Sequence, residues 1–299
     1  MKAISEAMDQ GAEFEEHRRH VFGVAYRMLG SVSDAEDAVQ DVWQRYATAA
    51  RPDNTRAWLT TVTTRLCIDR LRELKVRRET YVGPWLPEPL LTSQDSSADA
   101  PSIMAESLTL AFLTVLEKLN PVERAVFLLR EVFEYEYADI AAMIEKSEAN
   151  CRQILARARE HLKAPPRFSP APQKQQELVA RFLAAVQQGD LQDLIGLLAQ
   201  DAVSVGDGGG KRLAAGRPVC GREHVARFWL GLSRMPHGAV ELRAACFNQR
   251  PALVLYENGE ATSVIVFDFD GERIARIDAQ RNPDKLGRLP AKEDLPRIV

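Results

Sequence analysis

Across residues 14–163 the apolar positions return every third or fourth residue, the period of one helical face, and from residue 240 onward they gather into short β-rich runs. Phe14, Val21, Phe22, Ala25 and Leu29 mark a first helix over 14–29 that stops at Gly30. Ala35, Val39, Val42, Trp43 and Tyr46 stripe a second, with Ser33 and Glu36 as a capping box. Leu59, Val62 and Leu66 stripe a third over 55–76, after the turn-like RPDN. Leu108, Phe112, Val115, Leu116 and Leu119 predict a helix over 102–119. The clearest punctuation follows. Asn120 caps, Pro121 takes the first helical position and Glu123 reaches back to free amides, with Val122, Val126 and Leu129 on one face. A short helix over 137–144 carries Ala138, Ile140 and Ala141. After a tight Glu145-Lys146 connection, Ser147 caps a further helix that buries Ile154, Leu155 and Ala158. This is a helix-turn-helix pattern, although the turn lacks the glycine often found there.

Two proline-rich stretches interrupt the pattern. Residues 80–101 hold Pro84, Pro87 and Pro89 followed by a Ser/Asp-rich run, and 164–172 read APPRFSPAP. Both predict extended linkers. Trp85 and Leu86 in the first are too apolar for a mere spacer, so that segment is expected to dock. Beyond the second, helices are predicted over 173–188, 191–198 and 222–232. Strands are predicted over 202–205, 240–247, 252–256, 262–269 and 273–279, with hairpin signals at Asn258-Gly259 and Asp270-Gly271. Helices followed by an antiparallel sheet indicate an α+β domain.

Charge changes this picture more than composition does. The net charge of −3 over 299 residues excludes nothing, but its distribution is segregated. Residues 29–43 hold no Lys or Arg, and the outer face of that helix carries Asp34, Glu36, Asp37, Gln40 and Asp41. Acids in a first turn suit the helix dipole, but that account does not reach Asp41. A docking face for a basic partner does. Residues 51–78 then hold eight bases against three acids, a helix suited to phosphates, with Trp58 placed either to face unstacked bases or to fill the core. On the last helix of the helix-turn-helix, Glu148, Asn150, Arg152, Gln153 and Arg157 face outward near its start, as residues that read base edges in a major groove do.

Cys67, Cys151, Cys220 and Cys246 are far apart with no CxxC spacing, which argues against a metal site or disulfide framework; no metal or cofactor is expected. Cys151 suits packing better than redox reporting. No apolar run of membrane length and no apolar signal core occurs, so a cytoplasmic protein with no membrane association is expected.

The runs AYRMLGSVSDAEDAVQDVWQRY and NTRAWLTTVTTRLCIDRLRE, followed by the helix-turn-helix, resemble the two conserved domains of extracytoplasmic-function sigma factors of bacterial RNA polymerase. The resemblance implies two all-α domains: region 2 over 12–79 and region 4 over 102–163, joined by a linker over 80–101. It implies that Asp34, Glu36, Asp37, Gln40, Asp41 and Trp43 dock on the β′ clamp helices, with the β flap as a further polymerase contact. Asp53, Asn54, Arg56, Trp58, Arg65, Asp69, Arg70 and Arg72 would hold the melted −10 strand. The helix that opens at Glu148 would read the −35 element.

Three further motifs resemble a branch of this family that carries a fused SnoaL-like domain, a curved sheet wrapped by helices. They are WLPEP (Trp85, Leu86, Pro87, Glu88, Pro89), DGGGK (Asp207, Gly208, Gly209, Gly210, Lys211) and NPDKL (Asn282, Pro283, Asp284, Lys285, Leu286). The resemblance implies a domain over 173–290, after the linker over 164–172 and before a tail over 291–299, that regulates the sigma domains in cis with no separate anti-sigma factor. A small-molecule ligand in that domain is left open. DGGGK does not complete a phosphate-loop spacing and is expected to be a mobile, sterically open loop. Asp201, His224, Asp268 and Asp278 are the residue types a catalytic domain would use, but their spacing brings no two together. The expectation is therefore no enzyme. The alternatives are a sigma factor whose appended domain is an isomerase or cyclase, and a free-standing helix-turn-helix repressor, against which the acidic helix argues.

Overall fold

The computed structural model describes residues 2–78, 80–92, 107–162, 170–235 and 239–297, apart from a few side chains at the first helix's start and the third helix's end. The Ser/Asp-rich run after residue 92, the first residues of the helix expected over 102–119 and most of APPRFSPAP lie outside the described residues. The chain forms two compact units, one of residues 1–80 and 112–163, the other of 81–111 and 164–299.

The first unit is all-helical. Helix α1 (Lys2–Leu29) starts well before the expected Phe14. Helix α2 (Val32–Thr48) buries Ala35, Val39, Val42 and Tyr46 as its stripe predicts. Its cap is Ser31 rather than Ser33: the Ser31 hydroxyl accepts from the Asp34 amide at 3.1 Å. Two serines stand either side of Val32, and the tight turn at Gly30, with φ of 70°, brings the chain into the helix two residues earlier. Helix α3 (Thr55–Arg78) is capped by Asn54, whose side chain accepts from the Ala57 amide. Helix α4 (Leu110–Leu116) is the described remnant of the longer helix expected there, and 117–119 make only turn-like bonds.

The helix-turn-helix forms as its signals dictate. Helix α5 (Pro121–Phe127) has the full Asn120–Glu123 capping box and widens into a π-helical turn at Leu128–Val132. Helices α6 (Tyr137–Ile144) and α7 (Glu148–His161) follow, with Ser147 accepting from the Asn150 amide. Where many such turns place glycine, Glu145 adopts the left-handed conformation at φ 55°, a strain of roughly 1–2 kcal/mol. Its carboxylate pairs with Arg65 of α3, whose guanidinium also donates to the Ala142 and Met143 carbonyls at the end of α6.

Several such bonds pack the α1–α3 bundle against the helix-turn-helix. Arg124, 3% exposed, donates to the Met28 carbonyl at the end of α1 and to the Leu116 carbonyl. Arg27 lies over the Phe133 ring, and Thr60 bridges His20 and the Tyr135 hydroxyl, each at 2.9 Å.

The second unit is α+β. Helices α8 (Pro172–Gln188), α9 (Leu191–Leu197) and α10 (Arg222–Ser233) cover one face of a six-stranded sheet, with Phe182 meeting Trp229 and Phe267 edge-on between the layers. The strands are β1 (Leu198–Asp207), β2 (Val219–Cys220), β3 (Val240–Phe247), β4 (Arg250–Glu257), β5 (Glu260–Asp270) and β6 (Arg273–Gln280), in spatial order β2-β1-β6-β5-β4-β3. The sheet is mixed rather than wholly antiparallel, because β1 runs parallel to β6. The stretch between them, which holds β2, α10 and strands β3 to β5, supplies the long connection that a parallel pair requires. The Asn258-Gly259 hairpin forms as expected, and Asn248-Gln249 makes another two-residue turn in which both residues have positive φ. Edge strand β3 is covered twice: Leu91 bridges to Phe247, and the tail pairs through the Ala244 amide and the Pro296 carbonyl. That coverage removes the open hydrogen-bonding edge that would invite aggregation.

Burial first, then Arg56, His17 and Arg27, pushes His20 down to about 4. The unfolded chain, with His near 6.5, binds that proton more readily. Stability from this site is therefore full above about pH 6.5 and is lost as pH falls toward 4. After allowing for solvent screening the loss is on the order of 1–2 kcal/mol. Urea melts of the parent at neutral and mildly acidic pH should show that drop, and His20→Gln should flatten it.

Candidate functional site

In the helix-turn-helix, Cys151, Ile154, Leu155 and Ala158 are buried, which turns Glu148, Arg152, Gln153 and Arg157 outward and leaves Asn150 half-buried. Arg152 pairs with Glu148 at 2.8 Å and lies 4.7 Å from the Tyr137 ring centroid. Arg130 stacks on the same ring at 5.0 Å. The two guanidiniums therefore sit on one aromatic surface beside the exposed start of α7, a preorganised donor cluster for an anionic, edge-bearing ligand such as DNA.

The acidic face of α2 is partly neutralised within the chain. Arg18 holds Glu36, and Arg70 holds Asp41 while donating to the Asp34 backbone carbonyl. Asp37 and Gln40 remain exposed. Trp43 packs on Phe14 with ring centroids 5.1 Å apart, partly buried, so its first role is structural. On α3 and its preceding loop, Asp53, Asn54 and Arg56 are exposed, Trp58 is half-buried against Tyr46 and Arg72 pairs with Asp69. Arg65 and Arg70 are engaged as described above. The sequence places all eight of the loop and α3 residues together, whereas the fold divides them between exposed groups and internal ties.

Asp207, at the end of β1, organises the second site. It is fully buried and accepts five hydrogen bonds: the Tyr81 hydroxyl at 2.6 Å, the Leu86 and Gly209 amides at 2.9 and 3.0 Å, Gln280 at 3.2 Å and the Lys285 ammonium at 2.7 Å. Lys285 also donates to the Leu86 carbonyl and lies between the Tyr81 and Trp85 rings, 5.0 and 4.4 Å from their centroids. Gln280, paired opposite Asp207 in the sheet, donates to the Leu86 and Pro87 carbonyls and accepts from the Asn282 amide. Asn282 in turn donates to the Tyr81 oxygen and caps the short 3-10 turn Pro283–Lys285 through the Asp284 amide. Burial and the Asp207 carboxylate push the Tyr81 phenol up, so it remains a donor.

WLPEP, DGGGK and NPDKL thus meet within one unit. Leu86 is wholly buried, Glu88 and Leu286 nearly so, and Pro87 and Pro89 are buried beside them. Lys211 pairs with Asp284 at 2.7 Å. The glycine loop is not open, contrary to expectation. A Cβ on Gly208 would strike the Arg212 carbonyl, and one on Gly209, at φ 58°, the Asn282 amide. Glycine is needed there for close approach, while Gly210 lies against Val82.

The residue types suited to catalysis are tied up. Arg276 chelates both oxygens of Asp278, whose carboxyl burial pushes up and Arg276 pulls back, and Arg250 holds Asp268 at 2.8 Å. His224 contacts the Cys220 carbonyl through Nδ1, and Asp201 lies exposed on β1. Among the described residues no cluster of His, Cys, Asp or Glu could hold a metal, and no helix is long and apolar enough to cross a membrane.

Family comparisons match sigma-70 region 2 to residues 14–77 and sigma-70 region 4 to residues 109–162, which are the bundle and the helix-turn-helix. The ECF RNA polymerase sigma factor SigJ of Mycobacterium tuberculosis is 42% identical over 229 residues, 74% of this chain and 72% of SigJ. This chain belongs to the ECF RNA polymerase sigma factors. The probable ECF sigma factor SigI of the same species is 30% identical over 295 residues, 94% of this chain and 96% of SigI. The crystal structure of SigJ superposes with a TM-score of 0.73 at 34% identity, covering 94% of this chain and 99% of that one. The sigma factor directs RNA polymerase to promoters for transcription initiation, and the free-standing repressor reading falls with that membership.

The clasp of this sigma factor is open to direct measurement. Asp207→Ala strands a buried ammonium and four further donors, a loss of roughly 3–5 kcal/mol, whereas Lys211→Ala removes only an exposed pair worth below about 1 kcal/mol. Limited proteolysis should cut the 81–92 segment far faster in Asp207→Ala than in the parent or in Lys211→Ala.

Proposed function

We propose that this sigma factor reads the −35 element with Glu148, Asn150, Arg152, Gln153 and Arg157, and holds the melted −10 strand with Asp53, Asn54, Arg56, Trp58, Arg65, Asp69, Arg70 and Arg72. Asp34, Glu36, Asp37, Gln40, Asp41 and Trp43 dock on the polymerase clamp, with Asp37 and Gln40 as its exposed centre. Supporting this are the exposed polar start of α7, the bases along α3 and the absence of Lys and Arg over residues 29–43 of the acidic helix region. Arg65 has two roles in this reading: it ties α3 to α6 in the DNA-free chain and turns to the strand when the bundle and the helix-turn-helix separate on polymerase. The protein works in the cytoplasm, where polymerase and promoters are.

The second unit regulates in cis and catalyses nothing. The observation that carries this is the Asp207 clasp, which ties the segment joining the two sigma regions into the appended domain. A tethered domain acts at high effective concentration, so no separate anti-sigma protein is required to restrain the sigma regions. The ion pairs on Asp268 and Asp278 support a structural use of those carboxylates over an isomerase or cyclase.

Run-off transcription with core polymerase on a cognate promoter tests both halves. Gln153→Ala and Arg157→Ala should each lower output about tenfold or more, the value of one base contact of roughly 1–3 kcal/mol. Asp207→Asn and Lys285→Ala, which loosen the clasp, should raise output severalfold. Parent-like output from both clasp variants would remove the regulatory half, and parent-like output from both α7 variants the DNA-reading half.

A further inference from the structure

A recess of about 510 Å³ opens in the first unit beside the buried Arg124, within the range of small-molecule sites. Leu71 and Leu119 give it an apolar lining, Lys75 comes from α3, Lys118 from the approach to α5 and His161 from the end of α7. Neither the Lys75 nor the Lys118 ammonium has a carboxylate partner among the described residues, and both side chains are exposed.

The two acids at the recess are already committed. Glu117 holds one nitrogen of Arg124 at 2.8 Å. Glu123 accepts from the Asn120 amide in the capping box and lies 3.4 Å from His161 Nδ1. Arg124 itself is 3% exposed, yet its Nε has no hydrogen-bond partner among the described residues. Burial pushes this guanidinium down to about 9, so it is still a cation at neutral pH, neutralised by a single half-buried carboxylate. A buried charge with an unused donor is costly, and an anion of two or more charges beside it would relieve that cost. Phosphate oxygens match the chemistry: lysines at the rim as point charges, and an arginine N–H below them.

We propose that this recess binds a small phosphorylated ligand of nucleoside-diphosphate size, its phosphates on Lys75, Lys118 and Arg124 and its ring on Leu71 and Leu119. The ligand spans α3 and the approach to α5, and so ties the region 2 bundle to the helix-turn-helix. That it would thereby hold the sigma factor in its packed, DNA-free arrangement rests on the functional reading above, whereas the binding itself does not.

Calorimetric titration of the full chain at low salt, with GDP and with inorganic pyrophosphate as probes, tests the site. Both should bind, GDP more tightly, and each should raise the melting temperature. The double variant Lys75→Ala/Lys118→Ala, altered only at exposed side chains, should bind both at least about tenfold more weakly while keeping the parent's circular dichroism. The proposal is overturned if neither probe binds at millimolar concentration, or if the double variant binds like the parent. Uptake of a mixed-sequence DNA duplex through these lysines, with neither probe bound, also overturns it and makes them backbone contacts. Run-off transcription by the parent without probe checks the sigma reading separately.

Discussion

A single carboxylate, Asp207, sets the arrangement of the second unit. Buried with no exposure and given five donors, it draws together a strand end, a glycine turn, an extended linker and a 3-10 turn that lie far apart in sequence. A buried carboxylate is tolerated only when its charge is countered and its lone pairs are used. Lys285 supplies the countercharge, and its own ammonium is shielded by the Tyr81 and Trp85 rings. Leu86, wholly buried, adds roughly 1.5–3 kcal/mol of apolar burial to the same junction.

In the first unit the corresponding constraint is the charge buried at Arg124. Its guanidinium stitches the ends of α1 and α4 to α5 by donating to the Met28 and Leu116 carbonyls. Arg65 repeats the device at the end of α6. Arginines reaching helix ends thus help to join the bundle to the helix-turn-helix.

Some features were readable because they depend only on near neighbours. Asn120 with Glu123, Ser147 and Asn258-Gly259 act within a few residues, and each behaves as its chemistry predicts. Other expectations failed where the surrounding structure decides. Ser33 has the spacing of a cap, but the turn at Gly30 gives that place to Ser31. Three glycines in a row suggest freedom, yet Arg212 and Asn282 crowd Gly208 and Gly209 into a tight turn. Among the site residues, the sequence groups Arg65, Arg70 and Trp43 with their neighbours because charge and type are alike. Only the fold shows that all three already have partners. The roles of half-buried Tyr81 and buried Gln280 left no sequence signal beyond their place near the motifs.

By itself the sequence determined most of the helices, the Asn120 and Ser147 caps, the segregation of acidic α2 from basic α3, and the family, because periodicity, capping and motif order are properties of short stretches. Tertiary structure alone decided the parallel pairing of β1 with β6 and which charges are used internally. It also decided the meeting of Tyr81, Asp207 and Lys285. The strand pairing and the clasp bring together residues more than seventy positions apart, and the ion pairs Arg18–Glu36 and Arg70–Asp41 join residues 18 and 29 apart; no local pattern encodes such distances.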